Sequence, residues 1–134
     1  MKGVQRITLP KIEDPRGNLS FFENSSQIPF KIERAYWIYD VPGGQHRGSH
    51  AFKKSQEFIV AMSGSFDVVL NDGEKEERFH LNRSYQGLYV PSMLWRSLDN
   101  FSTNSLALIV SSIPYDENDY IRDFNVFKGL KNVK

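Results

Sequence analysis

Gly44, His50, Phe52, Glu57 and Gly64 place the tightest constraint on this chain, because their spacing ties a Gly-rich turn to an apolar strand. In GQHRGSHAFKKSQEFIVAMSG, five residues separate Gly44 from His50, one separates His50 from Phe52, four separate Phe52 from Glu57, and six separate Glu57 from Gly64. Ionisable side chains are therefore concentrated where the turn meets the strand. A second spaced set, Pro91, Met93, Arg96 and Asn100, follows downstream.

The remaining segments are short and strand-like. Val4 to Leu9 alternates, Asp14-Pro15-Arg16-Gly17-Asn18 is a turn, and Leu19 to Glu23 resumes as strand. Ile32 to Asp40 sets Ala35, Trp37 and Tyr39 on one face and Arg34, Tyr36 and Ile38 on the other. Phe58 to Met62 and Phe66 to Leu70 flank Ser63-Gly64-Ser65, and Asn71-Asp72-Gly73 is a hairpin turn. Further strands are predicted at Arg78 to Leu81, Gly87 to Pro91 and Leu106 to Val110. Strands this short, separated by turns, close on themselves as a sandwich or barrel. Only the C-terminal end reads as helix: Asp116 is placed to cap it, and Tyr120, Ile121, Phe124, Phe127 and Leu130 recur at helical spacing. The expectation is an all-β jelly-roll barrel with a short C-terminal helix, in one domain over residues 1–134.

With 17 basic and 16 acidic residues, no electrostatic attraction to nucleic acid or an anionic membrane is expected. No cysteine is present, so disulfides and thiolate metal sites are excluded. No apolar run approaches the roughly 18 residues that span a bilayer, and the reading is a cytoplasmic protein.

The first spacing resembles the first signature of the cupin barrels, with Phe52 standing where a second histidine would be; the second set matches the other cupin signature at Pro91 and Asn100 but not at Met93 or Arg96. Cupin metal sites use those histidines and the glutamate. Here Phe52 cannot ligate and the permanent charge of Arg96 repels a cation, so no metal is expected. A histidine, a carboxylate and a fixed positive charge suit proton transfer on an anionic or oxyanion-forming substrate. His50 is the candidate base, since imidazole titrates near neutrality; the other reading is a core histidine satisfied by a neighbour. Glu57 either fixes the His50 tautomer or pairs with Arg96. Arg16 and Arg47, each before a glycine in a tight turn, could grip phosphate, or be solvated loop residues. Tyr36, Trp37, Tyr39 and Tyr89 are core or barrel lining, with one or two of them stacking on a sugar or base. His46 and His80 are assigned no role, and Glu74 to Glu77 is a solvated hairpin tip.

Several stretches resemble the nucleoside-diphosphate-sugar 3,4-ketoisomerases: Arg34-Ala35-Tyr36, Arg47-Gly48-Ser49-His50-Ala51, Gly87-Leu88-Tyr89-Val90, Trp95-Arg96, and Tyr115-Asp116-Glu117 through Asp119-Tyr120-Ile121-Arg122. The resemblance implies action on dTDP-4-keto-6-deoxyglucose, with the ketone moved from C4 to C3 through an enediol and no metal or redox cofactor. It implies His50 as base, Tyr36 moving protons on the oxygens, and Arg16, Arg47 and Arg96 holding the diphosphate and the developing oxyanion. Arg96 stands where family members differ and is read towards the gluco rather than the galacto product. The family pairs as homodimers with exchanged N-terminal strands. Where family members commonly carry His-Ala-His this chain has His-Ala-Phe, and the alternative function is a nucleotide-sugar-binding cupin without catalysis.

Overall fold

The computed structural model describes residues 1–132. Twelve strands run in chain order: β1 Gln5–Thr8, β2 Lys11–Ile12, β3 Leu19–Ser20, β4 Arg34–Tyr39, β5 Arg47–Phe52, β6 Glu57–Ser63, β7 Phe66–Asn71, β8 Glu76–Leu81, β9 Gln86–Val90, β10 Trp95–Asp99, β11 Leu106–Ser111 and β12 Tyr120–Ile121. A 3₁₀ turn, Glu117–Asp119, precedes β12, and one helix, α1 Phe124–Asn132, follows it. Two five-stranded sheets, ordered β1-β9-β6-β11-β4 and β12-β5-β10-β7-β8, face each other as a jelly-roll sandwich, and β2 and β3 form a separate hairpin. All pairings are antiparallel. The expected architecture holds. No helix among the described residues is long and apolar enough to cross a membrane.

The pleat decides which side chains share the interior. Along β6, Ile59 and Ala61 join the core between the sheets, with Leu88, Leu98, Ala107 and Ile109. Phe58 and Val60 point the other way, under the segment that carries Ile28 and Phe30. Alternation on β4 likewise turns Tyr36 and Ile38 inward. It leaves Trp37 and Tyr39 outside, 58% and 60% exposed.

Three local expectations need correction. Arg47 to Phe52 and Trp95 to Asp99 are strands, although the sequence pattern marked neither: the first carries glycine and polar residues and the second mixes charge with bulk. Helix α1 begins at Phe124, not near Asp116. Asp116 instead caps the 3₁₀ turn by accepting from the Asn118 amide, and Asp123 caps α1, accepting from the amides of Asn125 and Val126 at 2.8 and 3.2 Å. Tyr120 and Ile121 extend beside Phe52 and Ala51 because pairing with the open edge of β5 satisfies their backbone groups better than an isolated helical turn. Phe127 and Phe124 then fold back over Trp95 on the outside of that sheet.

Candidate active site

The candidate site is built from inward-facing positions on β5 and β10 of one sheet and on β4 and β6 of the other. His50 and Phe52 occupy alternate positions of β5, and Arg96 on β10 is the cross-strand partner of His50. Gly48 makes this possible, since it sits at φ +72° and a Cβ there would lie 2.3 Å from a terminal nitrogen of Arg96. Glu57 opens β6 immediately after the link from β5. That link is pinned by the buried Asp119 carboxylate, which accepts from the amides of Lys54 and Ser55 at 2.7 and 3.2 Å.

Arg96 and Glu57 form a buried ion pair. The Arg96 Nε donates to Glu57 Oε1 at 2.8 Å and a terminal nitrogen to Oε2 at 3.2 Å. Other bonds from the guanidinium reach the Gly48 carbonyl at 3.2 Å and the Tyr36 hydroxyl at 2.5 Å. Tyr36 donates its own proton to Glu57 Oε2, which also accepts from Ser111 at 3.4 Å. Burial alone would lower the Arg96 pKa; the Glu57 charge outweighs it and holds the guanidinium above its ordinary value. Burial pushes the Tyr36 phenol well above its usual range. Of the two roles open to Glu57, the structure gives it the pairing with Arg96. Both its oxygens are engaged, so His50 and Glu57 together do not supply a free donor set for a divalent ion.

His50 differs from its neighbours in carrying a buried ring nitrogen without a partner. It is 8% exposed, and its Nε2 is the one buried side-chain nitrogen or oxygen among the described residues without a hydrogen-bond partner. Its ring lies between aromatic groups, 4.8 Å from the Phe52 centroid and 4.9 Å from that of Tyr120. Desolvation first, then the charges of Arg96, Arg122 and Arg34, hold its pKa at about 2, so the imidazole is neutral and carries a free lone pair. An unsatisfied buried ring nitrogen is costly in a purely structural role.

Further charged side chains surround that ring. Arg34 donates to the Tyr120 hydroxyl at 2.9 Å, and its Cζ lies 4.4 Å from the Tyr36 ring centroid. Arg122 covers the Tyr120 ring at 4.3 Å and pairs with Glu117 at 2.7 and 3.1 Å. Tyr115 also donates to Glu117, whose carboxyl is lowered to about 2, chiefly by Arg122. Sequence reasoning singled out none of Arg34, Tyr115, Glu117, Tyr120 or Arg122 as site residues. The available signal was the alternation in Asp119-Tyr120-Ile121-Arg122, in which Asp119 and Ile121 are buried.

Of the residues expected at the site, His50, Tyr36, Glu57 and Arg96 come together. Arg47, Trp37 and Tyr39 line a separate cleft of about 550 Å³, with Pro42, Gln45 and His46. Tyr89 lies on the outer face of its sheet near Phe30, its hydroxyl 2.5 Å from Gln56 Oε1. Arg16 sits at the tip of the β2–β3 hairpin, doubly bonded to Asp14 at 2.9 Å.

The fold and the site define a class: a jelly-roll protein whose barrel encloses an unpaired imidazole beside a guanidinium fixed by a carboxylate. Within that class, the family model described as FdtA: WxcM-like, C-terminal, matches residues 2–132, and the chain belongs to this family. It is 39% identical over 122 residues, 91% of this chain and 88% of its relative, to a TDP-4-oxo-6-deoxy-alpha-D-glucose-3,4-oxoisomerase of Aneurinibacillus thermoaerophilus. Among solved structures it is similar to the WlaRB TDP-quinovose 3,4-ketoisomerase from Campylobacter jejuni, at 39% identity and TM-score 0.91 over 96% of this chain and 99% of that one. It is also similar to a histidine-to-asparagine variant of the 3,4-ketoisomerase QdtA from Thermoanaerobacterium thermosaccharolyticum in complex with TDP-4-keto-6-deoxyglucose, at 30% identity and TM-score 0.95 over 98% and 95% of the two chains. These relatives are isomerases, and the chain is a member of an isomerase family.

Proposed function

We propose that this protein is a cytoplasmic 3,4-ketoisomerase that converts TDP-4-keto-6-deoxyglucose to the 3-keto-6-deoxy sugar nucleotide without a metal. The observation that carries the reading is the His50 Nε2: buried, neutral and unpaired, in a chain from this family. The C4 ketone acidifies the proton on C3. His50 takes that proton, an enediolate forms, and return of the proton to C4, with a proton passing from O3 to O4, leaves the ketone on C3 and a hydroxyl on C4. The Arg96 guanidinium, held in place by Glu57 and Tyr36, sets fixed dipoles that do not reorganise when the oxyanion develops, which favours the transition state over the substrate. An anionic diphosphate set against Arg34 and Arg122 offsets the two lesser of the positive charges that depress His50, which makes the ring more basic in the complex than in the free protein.

Trp37, Tyr39 and Arg47 offer stacking faces and a cation to the nucleotide. Likeness to the TDP-quinovose enzyme supports the gluco configuration at C4. A homodimer exchanging its N-terminal segment is supported by exposed apolar residues on the separate hairpin, Ile12 and Leu19. Arg16, at the tip of that hairpin, would then act on the other copy's site.

The test is incubation with TDP-4-keto-6-deoxyglucose followed by NMR. Appearance of the 3-keto isomer is expected. Tight binding of the sugar nucleotide with no turnover would instead identify a non-catalytic binding protein, the reading that Phe52 in place of a histidine favours.

A further inference from the structure

Ketone migration from C4 to C3 moves two protons, one between carbons and one between oxygens. A single imidazole is suited to the first. The second needs a group that gives a proton to O4 as the carbonyl becomes a hydroxyl and takes one from O3 as that hydroxyl becomes a carbonyl. Tyr36 is poorly arranged for this, because its proton is donated to Glu57 and its oxygen accepts from Arg96. A residue whose hydroxyl is held at both ends has no proton to lend without breaking its bond to the Glu57 carboxylate.

We propose that Tyr120 is a further catalytic residue, carrying the proton between O4 and O3 while His50 carries the one between C3 and C4. Tyr120 is the cross-strand partner of Phe52, the position where a second histidine is missing, and the two rings are 4.7 Å apart. Its ring centroid is 4.9 Å from that of His50. Its oxygen accepts from Arg34 at 2.9 Å, which leaves its own proton uncommitted, and the guanidinium faces the oxygen from which that proton departs. Arg122 lies over the ring and is itself anchored by Glu117, so the phenol is clamped on its face and at its hydroxyl. Tyr120 gives its proton to O4, the enediolate becomes an enediol, and Tyr120 then recovers a proton from O3 as C4 is protonated by His50. Atoms and charge return to their starting state, and no oxidant or reductant is required.

This assignment rests on the ketoisomerase reading and is tested so that the two can fail separately. Wild type, Tyr120→Phe and Tyr36→Phe are compared with TDP-4-keto-6-deoxyglucose in deuterated water, measuring product formation and deuterium entry at C3 of recovered substrate. In Tyr120→Phe the enediolate still returns to substrate but cannot pass its oxygen proton forward. Turnover is expected to fall by about 10². The ratio of exchange to isomerisation should rise at least about tenfold, with TDP affinity near wild type. Arg34→Gln, which keeps both rings but also loses a contact to the diphosphate, is compared at saturating substrate; its ratio should shift the same way, and it serves if Tyr120→Phe does not fold. An active wild type whose Tyr120→Phe variant keeps its turnover, or loses turnover with an unchanged ratio, overturns the assignment alone. A wild type that neither exchanges nor isomerises overturns the reading of function, and this proposal with it.

Discussion

Arg96 and Glu57, each 1% exposed, form a two-point ion pair inside the barrel, and every other polar contact of the inner site is hung from that pair. Removing one partner leaves the other charged and buried. Arg96→Met is expected to cost about 3–5 kcal/mol of stability. Replacing both, as Arg96→Met with Glu57→Gln, should recover part of that loss while abolishing activity. Urea unfolding of the single and double variants measures both outcomes.

Gly48→Ala should damage the same pair from outside it. The residue holds φ +72°, and an added Cβ would meet the Arg96 guanidinium at 2.3 Å. Strain at a left-handed position costs about 1–3 kcal/mol. The Arg96 side chain is tied to Glu57 and Tyr36 and cannot simply swing aside. Lower thermal stability and lower activity are expected together in Gly48→Ala; a variant with wild-type turnover would show that Arg96 has room to move.

The His50 imidazole ties stability to pH. Its folded pKa is about 2 against an ordinary 6.5, so between those values the unfolded chain binds a proton that the folded chain does not. The contribution is complete above pH 6.5 and is lost as pH falls, with a slope of at most about 1.4 kcal/mol per pH unit. Unfolding free energy measured from about pH 7 to about pH 5 should therefore decline more steeply in wild type than in His50→Asn. Equal slopes would contradict a neutral, desolvated His50.

The jelly roll and the inner cluster were legible in the sequence because spacing encodes both. Turn residues between short apolar runs imply a closed β architecture, and the Gly44-to-Gly64 spacing places His50 and Glu57 near the start of the apolar strand. Less legible was what depends on the pairing of distant segments. Trp37 and Tyr36 are adjacent aromatics, and only the packing of β4 against β11 and the core determines that Tyr36 faces the barrel. The stretch from Tyr120 to Arg122 satisfies helical spacing with Phe124 and Phe127, yet the free edge of β5 claims it as a strand. That pairing brings Tyr120 to His50, a contact between residues 70 positions apart that no local pattern predicts.

The central claim is that His50 moves the proton between carbons. Its most direct test is single-turnover conversion of TDP-4-keto-6-deoxyglucose by His50→Asn beside wild type, with TDP affinity measured on the same preparations. The structure predicts a rate lower by about 10² or more with affinity unchanged within a few-fold. A variant that isomerises the sugar at the wild-type rate would contradict it.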